Sequence, residues 1–142
     1  MVTIKPEWIN IGADPEMVKF AQKYGREMAG IHEDLTIEET ERRKKEKTLF
    51  PSGEMSKSQI RGVYGEVKRL QMIGDFNKSK TSFYMLKPKV AYAYGRDKGN
   101  GLKLFKDIFD SAFPYVTDDK TYDNFCNLME AILAYHKAYG GK

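Results

Sequence analysis

Three cationic residues are spaced so that one helix would place them on a single line. Lys57, Arg61 and Lys68 fall within about 40° of one another at 100° per residue. Such a line can bind the phosphates of a nucleic-acid strand, because each phosphate is negatively charged. The same pattern also occurs on a solvated helix face whose lysines serve only solubility. The spacing favours a polyanion-binding site and leaves the solvated face as the alternative.

A second basic line is predicted further along the chain. Lys89 and Arg96 share one side of a predicted helix, and Tyr92 lies beside them; Lys87 precedes this helix and Lys98 follows it. Cations with an aromatic neighbour are typical of a groove that follows a phosphate backbone and offers a ring for base stacking. The tyrosine could equally belong to the core or its rim.

Positive charge is concentrated in the middle of the chain. Residues 56–106 contain 12 Lys and Arg against 3 Asp and Glu, whereas residues 1–55 contain 9 against 11 and residues 107–142 contain 3 against 6. The formal net charge of +4 therefore hides a strongly basic middle between two mildly acidic flanks. This distribution is the electrostatic pattern of a protein that binds a polyanion.

Residues that could catalyse a reaction are few and scattered. The two histidines, His32 and His136, are distant in sequence, and we expect the first to be exposed in a turn and the second to pack on an apolar helix face. Glu130 has no second carboxylate near it with which to catalyse a reaction, and we expect it to form an ion pair. The single cysteine, Cys126, excludes an internal disulfide and a Cys-based metal cage. We expect no catalytic residue, metal site or cofactor, with a ribonuclease that uses one of the histidines as an alternative.

The elements that must position these residues are helices, because helix signals recur and no run of residues alternates between apolar and polar. Asp14 and Pro15 predict a helix start, and Thr36 with Glu39 predicts a capping box. The predicted helices cover residues 15–30, about ten residues from 36, then 56–73, 88–96, 102–113 and 121–139. Residues 75–80 are predicted to be a polar connection, and residues 97–101 a turn.

Apolar residues at helical spacing predict the buried faces of two of these helices. The core stripe of the helix at 56–73 is predicted to consist of Ile60, Val63, Val67 and Leu70. The apolar face of the last helix is predicted to consist of Tyr122, Phe125, Cys126, Met129, Ile132, Leu133 and His136.

Two glycines interrupt the predicted helix at 56–73. Gly62 and Gly65 each cost the helix roughly 1 kcal/mol relative to alanine. Such a cost indicates a use, of which the simplest is the close approach of another backbone. That backbone could belong to a neighbouring helix or to a nucleic-acid strand.

Length and composition predict a single domain over residues 1–142. The chain is 41% hydrophobic, which is enough for a packed core. No apolar stretch approaches the roughly 20 residues that span a bilayer, and the N-terminus lacks the pattern of a signal peptide. We therefore expect a soluble protein of the cytoplasm that does not contact a membrane.

Three segments together resemble a known family. They are SKSQIR at 56–61 with EVKRL at 66–70, MLKPKVAYAYGR at 85–96, and the helical stretch from Phe125 to Gly141. These segments are similar to the small subunit of the type III-A CRISPR effector, the Csm complex. The resemblance covers residues 56–142 as a family-like helical core, and residues 1–55 remain an extension without a matching motif.

The resemblance implies an all-α bundle of about five helices that has no catalytic site of its own. Several copies would stack along the effector and hold guide RNA and target RNA in a positive channel, while other subunits perform the cleavage reactions. The first motif supplies Arg61, and the second supplies Lys87, Lys89 and Arg96, as candidates for phosphate contact. The full set of predicted nucleic-acid-binding residues is Lys57, Arg61, Lys68, Arg69, Lys87, Lys89, Arg96 and Lys98.

The predicted function is therefore a non-catalytic RNA-binding subunit whose contacts are largely independent of base sequence. Its expected partners are guide RNA, target RNA, the other subunits and further copies of itself along a filament. The alternative is a scaffold subunit whose basic face contacts other proteins rather than RNA. A homodimer of the isolated chain is a further expectation, because helices with exposed apolar faces tend to pair.

Overall fold

The computed structural model describes residues 2–142, and this part of the chain contains helices and loops without strands. Seven α-helices have nine or more residues, one further α-helix is a single turn, and a 3-10 turn covers Phe113–Tyr115. The all-α prediction is confirmed, but five helices were too few. The α-helices are α1 Glu7–Asn10, α2 Pro15–Met28, α3 Ile37–Lys45, α4 Lys57–Ile73, α5 Phe76–Tyr84, α6 Leu86–Asp97, α7 Asn100–Ala112 and α8 Asp119–Ala138.

The predicted helix starts lie where the capping residues place them. The Asp14 carboxylate accepts a hydrogen bond from the Met17 backbone N–H at 2.8 Å. Thr36 and Glu39 form the reciprocal capping box, each accepting from the other's backbone N–H at 3.1 Å. These bonds satisfy N–H groups that have no partner within the first turn of a helix.

The predicted polar connection at residues 75–80 is wrong, because α5 begins at Phe76. The Asp75 carboxylate accepts from the Lys78 backbone N–H at 3.3 Å, and Asp119 accepts from the Phe76 backbone N–H at 2.6 Å. Asp119 belongs to the first turn of α8, so the start of one helix caps another. Phe76 and Phe83 are buried, and this packing stabilises a short helix whose sequence is otherwise polar.

Helix α8 is the centre of the core. Its predicted apolar face is confirmed, since Tyr122, Phe125, Met129 and Ile132 are all buried. Helix α2 makes the most extensive contact with it. Gly25 permits that contact, because a Cβ atom at this position would lie 2.7 Å from the Ile132 carbonyl oxygen.

The segment between α2 and α4 packs on the C-terminal end of α8. Ile31 and Tyr139 are buried together in a small second core, and the Lys44 ammonium donates to the Tyr139 carbonyl at 2.7 Å. At the opposite end of α8, the Asn124 side chain donates to the Ile9 carbonyl at 2.8 Å. Residues outside the family-like core thus contact both ends of α8.

Among the helices of residues 2–142, none is both long enough and apolar enough to cross a membrane.

Candidate nucleic-acid interface

Helix α4 lies between two open grooves. Its predicted core stripe is confirmed, because Ile60, Val63, Val67 and Leu70 are buried. The exposed remainder of the helix borders α8 on one side and α6 on the other. Four of the eight predicted cations line these grooves, whereas the other four lie outside both linings. The four that line them are Lys57, Arg61, Lys89 and Arg96.

The first groove, called here the α8 groove, has a volume of about 540 Å³. Lys57 and Arg61 line it from α4, and Lys137 lines it from α8. The rest of its wall is largely apolar and consists of Ile60, Tyr64, Gly65, Leu133 and Ala134 together with Glu130. Cations beside an apolar wall can hold phosphates while a sugar or base packs against the wall.

Lys137 is a groove residue that the sequence prediction missed. Glu130, Leu133, Ala134 and Lys137 have the spacing i, i+3, i+4 and i+7, which places them on one face of α8. This spacing is readable in the sequence. What it does not reveal is that this face of α8 is turned toward α4.

Glu130 forms the ion pair that was expected of it. Its carboxylate lies 4.0 Å from the Lys68 ammonium, and that ammonium lies 5.9 Å from the centre of the Tyr64 ring. Both charged side chains are well exposed to solvent, so the pair is weak. It nevertheless places a negative charge in the α8 groove and reduces the positive charge that Lys68 offers.

The second groove, called here the α6 groove, has a volume of about 310 Å³. Lys89, Tyr92 and Arg96 line it from α6, whereas Ser58 and Gly62 line it from α4. Tyr92 is 71% exposed, which leaves its ring free to stack. Lys89 forms no ion pair with any other residue in 2–142.

Two of the predicted arginines are already paired. Arg96 donates from Nη2 to the Asp97 carboxylate at 2.9 Å, and Arg69 donates from Nε to the Glu66 carboxylate at 2.9 Å. In each case the hydrogen bond to the carboxylate raises the pKa of the arginine. The paired carboxylates offset part of the positive charge that these arginines present to a polyanion.

The two lysines near the ends of α6 differ in surroundings. The prediction that Lys87 precedes this helix is wrong, because α6 begins at Leu86. The Lys87 ammonium lies 5.3 Å from the centre of the Phe113 ring, a weakly attractive cation–π arrangement. Lys98 ends the helix in a left-handed conformation with φ of 45°. Within the described residues, neither lysine forms an ion pair.

The glycines of α4 face open space. A Cβ atom added at Gly62 or at Gly65 would meet no described atom within 4 Å, and the same holds for Gly95 of α6. The neighbouring helix that could have explained Gly62 and Gly65 is therefore not a helix of residues 2–142. Both glycines lie on the exposed side of α4, where another molecule could approach the helix backbone closely.

The histidines are placed as the sequence predicted. His32 is exposed, and its Nε2 lies 2.8 Å from the Ser52 carbonyl. His136 is buried, and its Nε2 donates to the Met55 carbonyl at 2.6 Å. Burial is the main cause that lowers the pKa of His136, which keeps the imidazole neutral. Desolvation raises the pKa of the buried Cys126 thiol to about 11, so this cysteine is a poor nucleophile.

No group of three or more metal-binding side chains occurs among residues 2–142.

A comparison with protein-family models identifies one family. Residues 34–142 match the model described as Csm2 Type III-A, and this range is more than half of the chain. No curated protein and no solved structure is detectably similar to the chain. The match begins before residue 56, where the resemblance was expected to start, and it includes α3. It also includes both grooves and every predicted cation, whereas α1 and α2 lie outside it.

Proposed function

The chain belongs to the Csm2 Type III-A family and is a structural small subunit of the Csm effector complex, and we propose that it binds RNA within that complex. Its α8 and α6 grooves hold the sugar-phosphate backbone of guide or target RNA. The subunit supplies no reaction of its own. Base pairing between guide and target provides the sequence specificity, because phosphate contacts do not distinguish bases.

The observation that carries this proposal is the distribution of unpaired cations. Five of the eight predicted residues form no ion pair within residues 2–142, namely Lys57, Arg61, Lys87, Lys89 and Lys98. Three of these five line the two grooves beside α4. Cations that lack a carboxylate partner can neutralise RNA phosphates, which releases the counterions condensed on the RNA and favours binding.

The open glycines support the same proposal. Gly62 leaves the backbone of α4 uncovered in the α6 groove, and Gly65 leaves it uncovered in the α8 groove. A strand that crosses α4 there can approach the helix more closely than any side chain would permit. The sequence left two candidates for the backbone that approaches these glycines, a neighbouring helix and a nucleic-acid strand. We propose that it is the nucleic-acid strand.

Apolar side chains beyond the grooves favour contacts with proteins. Met72 and Ile73 are exposed at the end of α4, and Tyr84 and Met85 are exposed at the junction of α5 and α6. We propose that such residues contact other subunits or further copies of the chain along the effector. We propose that the protein works in the cytoplasm. The alternative to RNA binding is a scaffold role, in which the basic face contacts other proteins.

The test is RNA binding by the purified chain at several salt concentrations. A double variant, Arg61→Ala with Lys89→Ala, removes one unpaired cation from each groove. The matched control, Lys78→Ala with Lys80→Ala, removes the same charge from exposed positions of α5. Single-stranded RNAs of about 30 nucleotides and unrelated sequence are long enough to span an RNA-binding module.

We expect the double variant to bind every RNA more weakly and to flatten the plot of log affinity against log salt by about 1.4, since each lost phosphate contact removes about 0.7 for single strands. The control should leave the slope unchanged. Equal slopes in the wild type and the double variant would contradict the RNA assignment. Loss of assembly into the Csm complex with unchanged RNA affinity would instead support the scaffold role.

A further inference from the structure

Arg26 is a buried cation with few partners. It is 6% exposed, and its Nη1 donates to the Asp34 carboxylate at 3.0 Å. Its Nε is buried without a hydrogen-bond partner among the described residues. A guanidinium has five N–H donors, and the Nε donor of Arg26 is the one that is both buried and unsatisfied. Because an unsatisfied buried donor is costly, the position favours an additional acceptor.

The Asp34 carboxylate is a weak acceptor for Arg26. The Asp34 side chain is fully exposed, and water screens an exposed carboxylate strongly. An exposed carboxylate can also swing away without a large cost in packing. A dianion that enters beside Arg26 could therefore replace Asp34 and engage the guanidinium through two parallel hydrogen bonds.

A pocket of about 540 Å³ lies beside Arg26. Lys19, Lys23 and Arg26 line it from α2, where the spacing i, i+4 and i+7 places all three on one face. Neither lysine forms an ion pair with another residue in 2–142. Three cations thus converge on one concave site whose volume is in the range of small-molecule pockets, roughly 300–1,000 Å³.

Neutral and acidic groups complete the wall. Tyr139 donates its hydroxyl to the Leu35 carbonyl at 3.0 Å and accepts from Gln22 at 3.2 Å. Besides Asp34, the one other carboxylate among the lining residues is Glu39, which is already held by the Thr36 backbone N–H at 3.1 Å. The Leu35 side chain and the hydrogen-bonded Tyr139 ring give the pocket an apolar side against which an organic group could pack.

We infer that this pocket binds a phosphate monoester, with the phosphate on Arg26, Lys19 and Lys23 and the organic group toward Leu35 and Tyr139. The site goes beyond the proposed RNA contacts. It shares no lining residue with the α8 groove or the α6 groove. Its three cations lie before residue 34 and therefore outside the family match.

The experiment is calorimetric titration of the full chain at constant ionic strength. Inorganic phosphate, adenosine 5′-monophosphate and adenosine are the three probes, so that free phosphate and a phosphate ester are distinguished from a nucleoside without phosphate. The principal variant is Lys19→Ala with Lys23→Ala, since both lysines are exposed and their removal leaves the core intact. Lys78→Ala with Lys80→Ala is the control of equal charge.

We expect a phosphate-bearing probe to bind saturably, with one molecule bound per chain. The principal variant should bind that probe roughly tenfold or more weakly, because charge-assisted hydrogen bonds are lost. Arg26→Lys should weaken binding as well, since lysine lacks the planar fork. Asp34→Asn should tighten binding several-fold by removing the competing carboxylate. The control should bind as the wild type does.

Several outcomes would overturn the inference. These are no saturable binding by the wild type at millimolar concentrations, equal binding of adenosine and its monophosphate, and unchanged affinity in the principal variant. The double variant Arg61→Ala with Lys89→Ala separates this site from the RNA grooves. If that variant loses phosphate binding while Lys19→Ala with Lys23→Ala retains it, the phosphate binds in the RNA grooves and the pocket assignment is wrong.

Discussion

At the scale of single residues, carboxylate partners distinguish the candidate cations from one another. Lys57, Arg61 and Lys89 border the grooves without ion pairs in the described part of the chain, whereas Arg69 and Arg96 each donate to an adjacent carboxylate. Arginine occurs in both groups, since Arg61 is unpaired and Arg69 is paired. The charge available to a phosphate therefore depends on the neighbour as much as on the cation.

Glu130→Gln should tighten RNA binding. This substitution removes the carboxylate from the α8 groove and frees Lys68, whose ammonium lies 4.0 Å away. We expect the slope of log affinity against log salt to steepen by about 0.7, because one additional phosphate can be neutralised. Asp123→Asn, on the same helix but outside this groove, is the control. Unchanged affinity in Glu130→Gln would indicate that RNA does not enter the α8 groove.

His136 should make the fold less stable at mildly acidic pH. Burial lowers the pKa of its imidazole in the folded state, whereas an unfolded chain has the ordinary value near 6.5. As the pH falls below about 6.5, the unfolded state takes up the proton first, so stability decreases until the lower folded-state pKa is reached.

Urea unfolding between pH 7.5 and pH 5 measures this effect. The variant His136→Gln retains a donor for the Met55 carbonyl but cannot titrate. Its stability should fall less over that pH interval than the stability of the wild type. Parallel pH profiles for the two proteins would refute the assignment.

At the scale of elements, the glycines of α2 and α4 have opposite environments. A Cβ at Gly25 would lie 2.7 Å from both the Ile132 carbonyl oxygen and the Tyr135 Cβ. A Cβ at Gly62 would meet no described atom within 4 Å. The first glycine is required by the packing of α2 on α8, and the second is not required by any packing within residues 2–142.

Gly25→Ala and Gly62→Ala should therefore change stability in opposite directions. We expect Gly25→Ala to lower the free energy of unfolding by about 1–3 kcal/mol, because backbone atoms of α8 must move. We expect Gly62→Ala to raise it by about 0.5–1 kcal/mol, because alanine favours an exposed helix position. Urea unfolding followed by circular dichroism measures both, and changes of the same sign would contradict the described packing.

Gly62→Ala should also weaken RNA binding despite its added stability. The new methyl group projects into the α6 groove, where the strand is proposed to approach α4. A filter-binding titration on the same preparation compares the variant with the wild type. Unchanged affinity would mean that the strand does not lie on this part of the helix.

At the scale of the whole molecule, the charge pattern of the sequence becomes a surface on α4 and α6. Residues 56–106, which hold 12 of the 24 Lys and Arg, form the helices on both sides of the α6 groove. The acidic flanks form most of the remaining helices. Such separation of charge favours contact with a polyanion on one side and with proteins on the other.

The salt dependence of the whole chain should be moderate. Five unpaired candidate cations allow a slope of log affinity against log salt of up to about 3.5 for single-stranded RNA, at about 0.7 per contact. Titrations at several salt concentrations measure this slope. A clearly steeper slope would show that cations beyond the predicted set contact the RNA.

Local patterns in the amino-acid sequence predict the fold class, the buried faces of α4 and α8, and the basic lines beside them. Helical periodicity and capping are local properties, so the apolar stripe of Ile60 and Val67 and the capping box at Thr36 are readable without a structure. The family resemblance rested on local motifs in the same way. It identified the family correctly, because the motifs that define it are present in the sequence.

Which helices meet, and which charges they bring together, depends on contacts between distant parts of the chain. Asp119 of α8 caps the start of α5 from a distant part of the chain, and Lys137 joins the α8 groove because α8 packs beside α4. The pocket at Arg26 depends on residues as distant in sequence as Lys19 and Tyr139. Contacts of this kind join residues far apart in the chain, so no local pattern in the sequence contains them.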